Sequence, residues 1–227
     1  MPRNHHDGPL IVRSLPPLLD RAEDLLSADG RHLLGIAGPP GAGKSTLAHW
    51  TETALRARHP EGPPLVGQVP MDGFHLRNAV LADRGLRHRK GAPDTFDVEA
   101  YLKLLRAVRA EPDRDHDAPA YSRRLHEPVA GAHRIPPTVR LVISEGNYLL
   151  GGAAGWEDVR DVFDEVWFLA EDPAVTRERL IARQLAGGLS PEAAREWVDR
   201  SDMANTEIVN ARKDTADVII EVVPGTF

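Results

Sequence analysis

With 227 residues, the chain can form one continuous core, burying about 70–75% of the surface its unfolded form exposes. A composition that is 41% hydrophobic and 27% charged excludes a disordered or fibrous chain, and 28 basic against 34 acidic side chains argue against general binding to nucleic-acid phosphates. The absence of cysteine excludes disulfides, thiolate catalysis and cysteine-held zinc.

No apolar stretch is long enough to span a bilayer, and the opening "MPRNHHDGPLIVRSLPP" lacks the apolar segment of a secretory signal, so a cytoplasmic protein is expected. Residues 14–28 set Leu15, Leu18, Leu19, Leu25 and Leu26 at helical spacing, predicting a short leading helix. The first Val/Ile/Leu-rich run, "HLLGIAG", predicts a strand, and "GPPGAGKST" follows it. Gly38, Gly43, Lys44 and Ser45 fit the spacing G-x-x-x-x-G-K-S between that strand and a helix pattern over 44–57. Gly38, Gly41 and Gly43 let backbone N–H groups turn inward onto phosphate oxygens, with the positive end of the helix behind them. Lys44 then reaches the β- and γ-phosphates, Ser45 offers its hydroxyl to Mg²⁺, and Thr46 completes the cradle. These residues predict a nucleoside triphosphate site.

The second run, "PLVGQVPMD", ends at Asp72. Ligands of open parallel sheets sit beyond the carboxyl ends of strands. Asp72 is therefore either a turn former before glycine or a carboxylate able to take a hydroxyl proton beside the γ-phosphate and to touch the metal. Residues 83–96 lack an apolar period, 97–110 read as a helix, and 111–136 form a long proline-interrupted segment around "APAYSRR". The two irregular stretches are expected to elaborate a sheet edge. Their basic groups, Arg84 to Lys90 and Arg123 with Arg124, either bind an anionic acceptor or keep exposed loops solvated.

The third run, "VRLVISEG", delivers Glu145 to the end of a strand expected beside the phosphate-loop strand, as a carboxylate of the Mg²⁺ shell or as a turn cap. After the fourth run, "EVWFLAE", come helix patterns over 173–186 and 191–200, the first opened by Asp172 and Pro173. Arg179 and Arg183 share one helix face, which either closes over the triphosphate as a lid of about 177–191 or is simply solvated. The last run is "ADVIIEV". Five runs with little alternation suit strands covered on both faces, and their alternation with helices predicts one three-layer α/β domain over 1–227 with a parallel sheet. Ten histidines, among them His5 and His6, show no metal-ligand spacing and are expected mostly at the surface.

Taken together, these residues resemble the P-loop kinases that include phosphoribulokinase, uridine kinase and the bacterial type of pantothenate kinase. "DGFHLRNAVLADRGLRHRKGAPDTFDVEAYLKLL" is similar to the Asp-Gly-Phe segment of the pantothenate kinases, "APAYSRR" to their Ala-Pro-x-Tyr-Ser segment and "SEGNYLL" to their Glu-Gly-x-x-x-Leu. The resemblance implies a P-loop NTPase fold with a five-stranded parallel sheet, often a homodimer, and an enzyme using ATP and Mg²⁺. It makes Asp72 the base, Lys44 and Arg179 the γ-phosphate stabilisers, Arg183 a further nucleotide contact, and Ser45, Glu145 and Asp72 the metal partners. On the acceptor side it points to His75, Arg84, Tyr121, Arg123 and Asn205. Two departures fall there: Arg123 stands where those kinases usually have His, and Thr176 where they have a lid Tyr. The expected reaction is γ-phosphoryl transfer to an alcohol of a sugar, nucleoside or pantothenate-like metabolite, with neither nucleic acid nor membrane as partner. The alternative is a nucleotide-dependent switch acting on a protein.

Overall fold

Leu33 and Ala37 of the strand His32–Ala37 lie in one apolar cluster, and Leu34 and Ile36 lie in another. Successive side chains of a strand point to opposite faces, so a run without polar alternation requires a sheet covered on both sides. A computed structural model, which describes residues 8–221, has this arrangement. His5, His6 and the end of the last apolar run lie outside the described residues.

In chain order the main elements are β1 (Leu10–Val12), α1 (Leu15–Ser27), β2 (His32–Ala37), α2 (Lys44–Arg58), β3 (Val66–Gln68), α3 (Asn78–Asp83) and α4 (Val98–Ala110). They continue with β4 (His116–Ser122), β5 (Glu127–Ile135), β6 (Leu141–Gly146), β7 (Glu165–Ala170), α5 (Pro173–Ala186), α6 (Pro191–Trp197), α7 (Met203–Asn210) and β8 (Val218–Glu221). The main sheet runs β1-β8-β7-β2-β6-β3 with every pair parallel. Helices α1 and α2 supply Leu18, Leu26, Leu47 and Leu55 to one face, while α4 and α7 supply Tyr101, Leu105, Val108 and Val209 to the other. The result is a three-layer α/β arrangement, a parallel sheet with an apolar cluster on each face.

Three expectations need correction. The sheet has six strands rather than five, because β1 adds to the edge by pairing Leu10 with Val218 and Val12 with Ile220. A three-residue strand with Leu10 and Ile11 about half exposed carries no side-chain pattern, and its backbone pairing alone defines it. The segment 111–136 is not irregular: most of it is the antiparallel hairpin β4–β5, with a register shift between Ala118 and Ala120. The helix expected over 191–200 ends at Trp197 and passes through a π-turn, Val198–Asp202, directly into α7. Where caps are visible in sequence the boundaries agree closely: Asp97 accepts the Ala100 N–H before α4, and Asp172 accepts the Ala174 N–H before α5.

Candidate active site

β2 lies between β6 and β7, and its C-terminal end opens into the turn 38–43 that leads to α2. Gly38, Gly41 and Gly43 all lie in this turn, and Ser45 and Thr46 are exposed on the first turn of α2. At Gly41 the backbone has φ +79°, and a Cβ would lie 3.0 Å from the Thr176 carbonyl oxygen and 3.1 Å from Leu180 Cγ. Glycine is required there because the loop crown is pressed against the start of α5.

Lys44 is only 8% exposed. Its ammonium donates to the Pro39 carbonyl at 2.9 Å and to Asn147 Oδ1 at 2.8 Å. Burial pulls its pKa below the ordinary lysine value, while the charges of Glu145 and Asp72 work in the opposite direction. Glu145 pairs across the sheet with Ile36 of β2 and accepts the Ser45 hydroxyl at 2.9 Å. Burial, and then the neighbouring charge of Asp72, push the Glu145 carboxyl up, against the pull of Lys44, Ser45 and Arg123. The Glu145 carboxyl and the Ser45 hydroxyl thus meet within reach of the charges of Asp72 and Lys44. An all-oxygen donor set of this kind suits a hard divalent cation that keeps part of its water, as Mg²⁺ does.

Asp72 lies half-buried in the short turn Met71–Phe74, beyond the end of β3. Its negative charge is felt by Lys44, Glu145, His75 and Tyr121. His75 Nδ1 donates to the Asp72 carbonyl at 2.8 Å, and the imidazole lies between Phe96 and Tyr121 with ring centroids 4.1 and 4.6 Å away. Burial lowers the His75 pKa and favours a neutral ring. The Tyr121 phenol is pushed up to about 12, chiefly by burial, and stays protonated. Together these rings form an aromatic wall beside Asp72.

The remaining predicted residues divide. Asn205 is buried and donates through Nδ2 to the Gly91 carbonyl at 3.3 Å, where Tyr148 also donates at 2.7 Å. Arg179 lies 3.4 Å from the Gly41 carbonyl and 2.9 Å from Glu171. Arg183 is exposed one helical turn later, and its positive field reaches Lys44, Tyr121 and Asp202. Arg123 is exposed as well, and its field reaches Glu145. Arg84 stands exposed at the C-terminal end of α3, and among the described residues no hydrogen bond or ion pair joins it to Lys44 or Asp72. Much of the basic cluster beside it is engaged within the loops: Lys90 donates to Asn78 and to the His126 carbonyl, and Arg89 lies 3.4 Å from Asp94.

Sequence reasoning passed over Asn147, Tyr148, Glu171 and Asp202. Asn147 and Tyr148 directly follow the Glu-Gly pair at the end of β6, and that position was the signal available for them. Asp202 precedes Asn205 by three residues, which places both on one helix face. It is 9% exposed, and its Oδ2 is buried with no hydrogen-bond partner among the described residues.

No family model matches the chain. A candidate uridine kinase of Schizosaccharomyces pombe is 36% identical over 217 residues, covering 92% of this chain and 91% of that protein. A pantothenate kinase of Brucella ovis is 34% identical over 157 residues, covering 66% of this chain and 48% of that protein. Among solved structures, a candidate fructose transport system kinase from Silicibacter superposes with a TM-score of 0.82 at 37% identity, covering 92% of this chain and 99% of that chain.

Proposed function

The chain belongs to the P-loop kinase family that includes uridine kinase, pantothenate kinase and phosphoribulokinase, and on that footing we propose that it transfers the γ-phosphoryl group of ATP to a hydroxyl of a small metabolite. The observation that carries this reading is that Lys44, Glu145 and Asp72 lie within electrostatic reach of one another, beside a wall of His75, Phe96 and Tyr121. A phosphate cradle alone serves switches and kinases equally. A carboxylate facing the cradle beside an aromatic wall supports a bound acceptor.

Asp72 takes the hydroxyl proton as the acceptor oxygen bonds to the γ-phosphorus and the bond to the β,γ-bridging oxygen breaks. Lys44 and Arg179 hold the negative charge that moves toward that bridging oxygen. Ser45 and Glu145 would hold Mg²⁺, with Asp72 close by, and the bound ion would supply further neutralisation of phosphate charge. His75, uncharged, and Tyr121, protonated, offer the acceptor flat surfaces and hydrogen-bonding groups without a net charge. The acceptor belongs among sugars, nucleosides and pantothenate-like alcohols, and the reading carries with it a cytoplasmic setting and a homodimer.

The test is acceptor-dependent ADP release with Mg-ATP across these three classes of alcohol. On the best acceptor, Asp72→Asn is expected to lower kcat by about 10²–10⁴-fold. Undiminished turnover in that variant would remove Asp72 from the base role, and ADP release indifferent to every added alcohol would mark a bare NTPase instead.

A further inference from the structure

The sequence puts Arg179 on a helix face that either closes over the triphosphate or is simply solvated, and in the structure it has two partners. Its Nη1 lies 2.9 Å from Glu171 Oε2 and 3.4 Å from the Gly41 carbonyl. Glu171 is the first residue after β7; its side chain is only 9% exposed, and its other oxygen accepts the Asp172 N–H at 3.1 Å. A carboxylate so nearly buried needs a cationic partner, and Arg179 supplies one. Two further contacts lie beside it. A Cβ on Gly41 would lie 3.0 Å from the Thr176 carbonyl oxygen of α5. Arg177, two residues before Arg179, grips Asp199 of the π-turn through two bonds of 2.6 and 2.9 Å. The first half of α5 is thus a wall of the phosphate loop, and Arg179 and Arg183, a turn further on, are both exposed on this face.

We propose that Glu171 is a positioning residue for phosphoryl transfer: it holds the Arg179 guanidinium against the crown of the phosphate loop before nucleotide arrives. A guanidinium has five N–H donors in a rigid fork, so fixing one nitrogen fixes the direction of the others. Donors set in place in advance need no reorganisation as charge develops, which is where electrostatic stabilisation gains most. The proposal rests on Arg179 as a γ-phosphate contact, the role given to it above.

Binding therefore tests it without turnover. Affinities for a non-hydrolysable ATP analogue and for ADP are compared by calorimetry in the wild type, Arg179→Ala, Glu171→Ala, Glu171→Asp and Glu171→Gln. Only the analogue carries a third phosphate, so loss of a positioned Arg179 should weaken it about tenfold relative to ADP. Glu171→Ala should reproduce that selective loss. Glu171→Asp, which keeps the charge but draws it back by one methylene, should do so in part and keeps the test in force if the alanine variant does not fold. Glu171→Gln retains length and an acceptor oxygen, and should restore most of the discrimination. Equal weakening of both nucleotides in the Glu171 variants, or none, overturns the proposal, since a merely structural carboxylate would act on both alike. An unchanged ratio in Arg179→Ala would instead overturn the role of the arginine itself, and with it the premise for Glu171.

Discussion

Lys44 commits two of its three ammonium donors to Pro39 and Asn147, leaving one to face the phosphates. Asn147 is suited to this because an amide oxygen holds the ammonium without cancelling its charge. Asp202 shows the opposite condition. Burial raises its pKa above the ordinary carboxylate value, opposed only by Arg183, and its Oδ2 has no donor among the described residues. In the unfolded chain the group loses its proton near the reference value of 3.8, whereas the folded protein keeps it to higher pH. Its contribution to stability is therefore intact at low pH, is lost as pH rises through the folded value, and stays lost above it. Asp202→Asn is expected to stabilise the protein by about 1–2 kcal/mol at pH 8 and by much less at pH 4, as read from urea midpoints at the two values. A variant less stable than wild type at pH 8 would mean that the charged form has a partner worth keeping.

At the scale of elements, the hairpin β4–β5 supplies Tyr121 to the aromatic wall beside Asp72. Tyr121 on β4 stacks on His75, and the ammonium of Lys90 lies 5.2 Å from the Tyr121 ring centre. The turn that presents Asp72 is pressed against the same strand: a Cβ on Gly73 would lie 2.2 Å from the Pro119 carbonyl oxygen and 2.6 Å from its carbon. Both atoms are backbone and cannot yield alone. Gly73→Ala is therefore expected to cost about 1–3 kcal/mol of stability. It should also lower kcat, because the neighbouring Asp72 must move with the turn. Urea unfolding and steady-state kinetics on the same variant would check both, and normal kcat would show that the base does not depend on this contact. The hairpin was hidden in the sequence because prolines at 119 and 128 interrupt its strands and a register shift between Ala118 and Ala120 breaks their alternation. The caps at Asp97 and Asp172, by contrast, are local interactions and can be read directly.

Across the whole molecule, the two ends of the sheet have different roles. The C-terminal strand ends hold the candidate site. Near the opposite end Arg31, 6% exposed, donates to the carbonyls of Val139, Val108, Pro112 and Pro136 at 2.8 to 3.0 Å. It joins the end of α4, the segment before the hairpin, the end of β5 and the start of β6. Burial lowers its pKa, although an arginine stays charged throughout the working range. Arg31→Met would leave four carbonyls without this donor, and a loss of about 3 kcal/mol or more is expected. The KM for ATP should stay unchanged in the folded fraction. Thermal melts and nucleotide kinetics would separate the two effects, and a change confined to KM would contradict this division of the fold.

The positions of the glycine turn before α2, of Asp72 after β3 and of Glu145 near the end of β6 were readable from the chain because each depends on a short segment: glycines that permit a turn, a helix start behind it, and a carboxylate at the end of an apolar run. The layered α/β class followed in the same way from strands without alternation. Only the tertiary structure decided that β1 adds a sixth strand, that Asn147 holds Lys44, and that Glu171 anchors Arg179. Those outcomes depend on which distant surfaces meet. A residue's own backbone preferences act over a turn or two of chain, whereas the partner of a buried charge is fixed by packing between elements that the sequence places tens of residues apart.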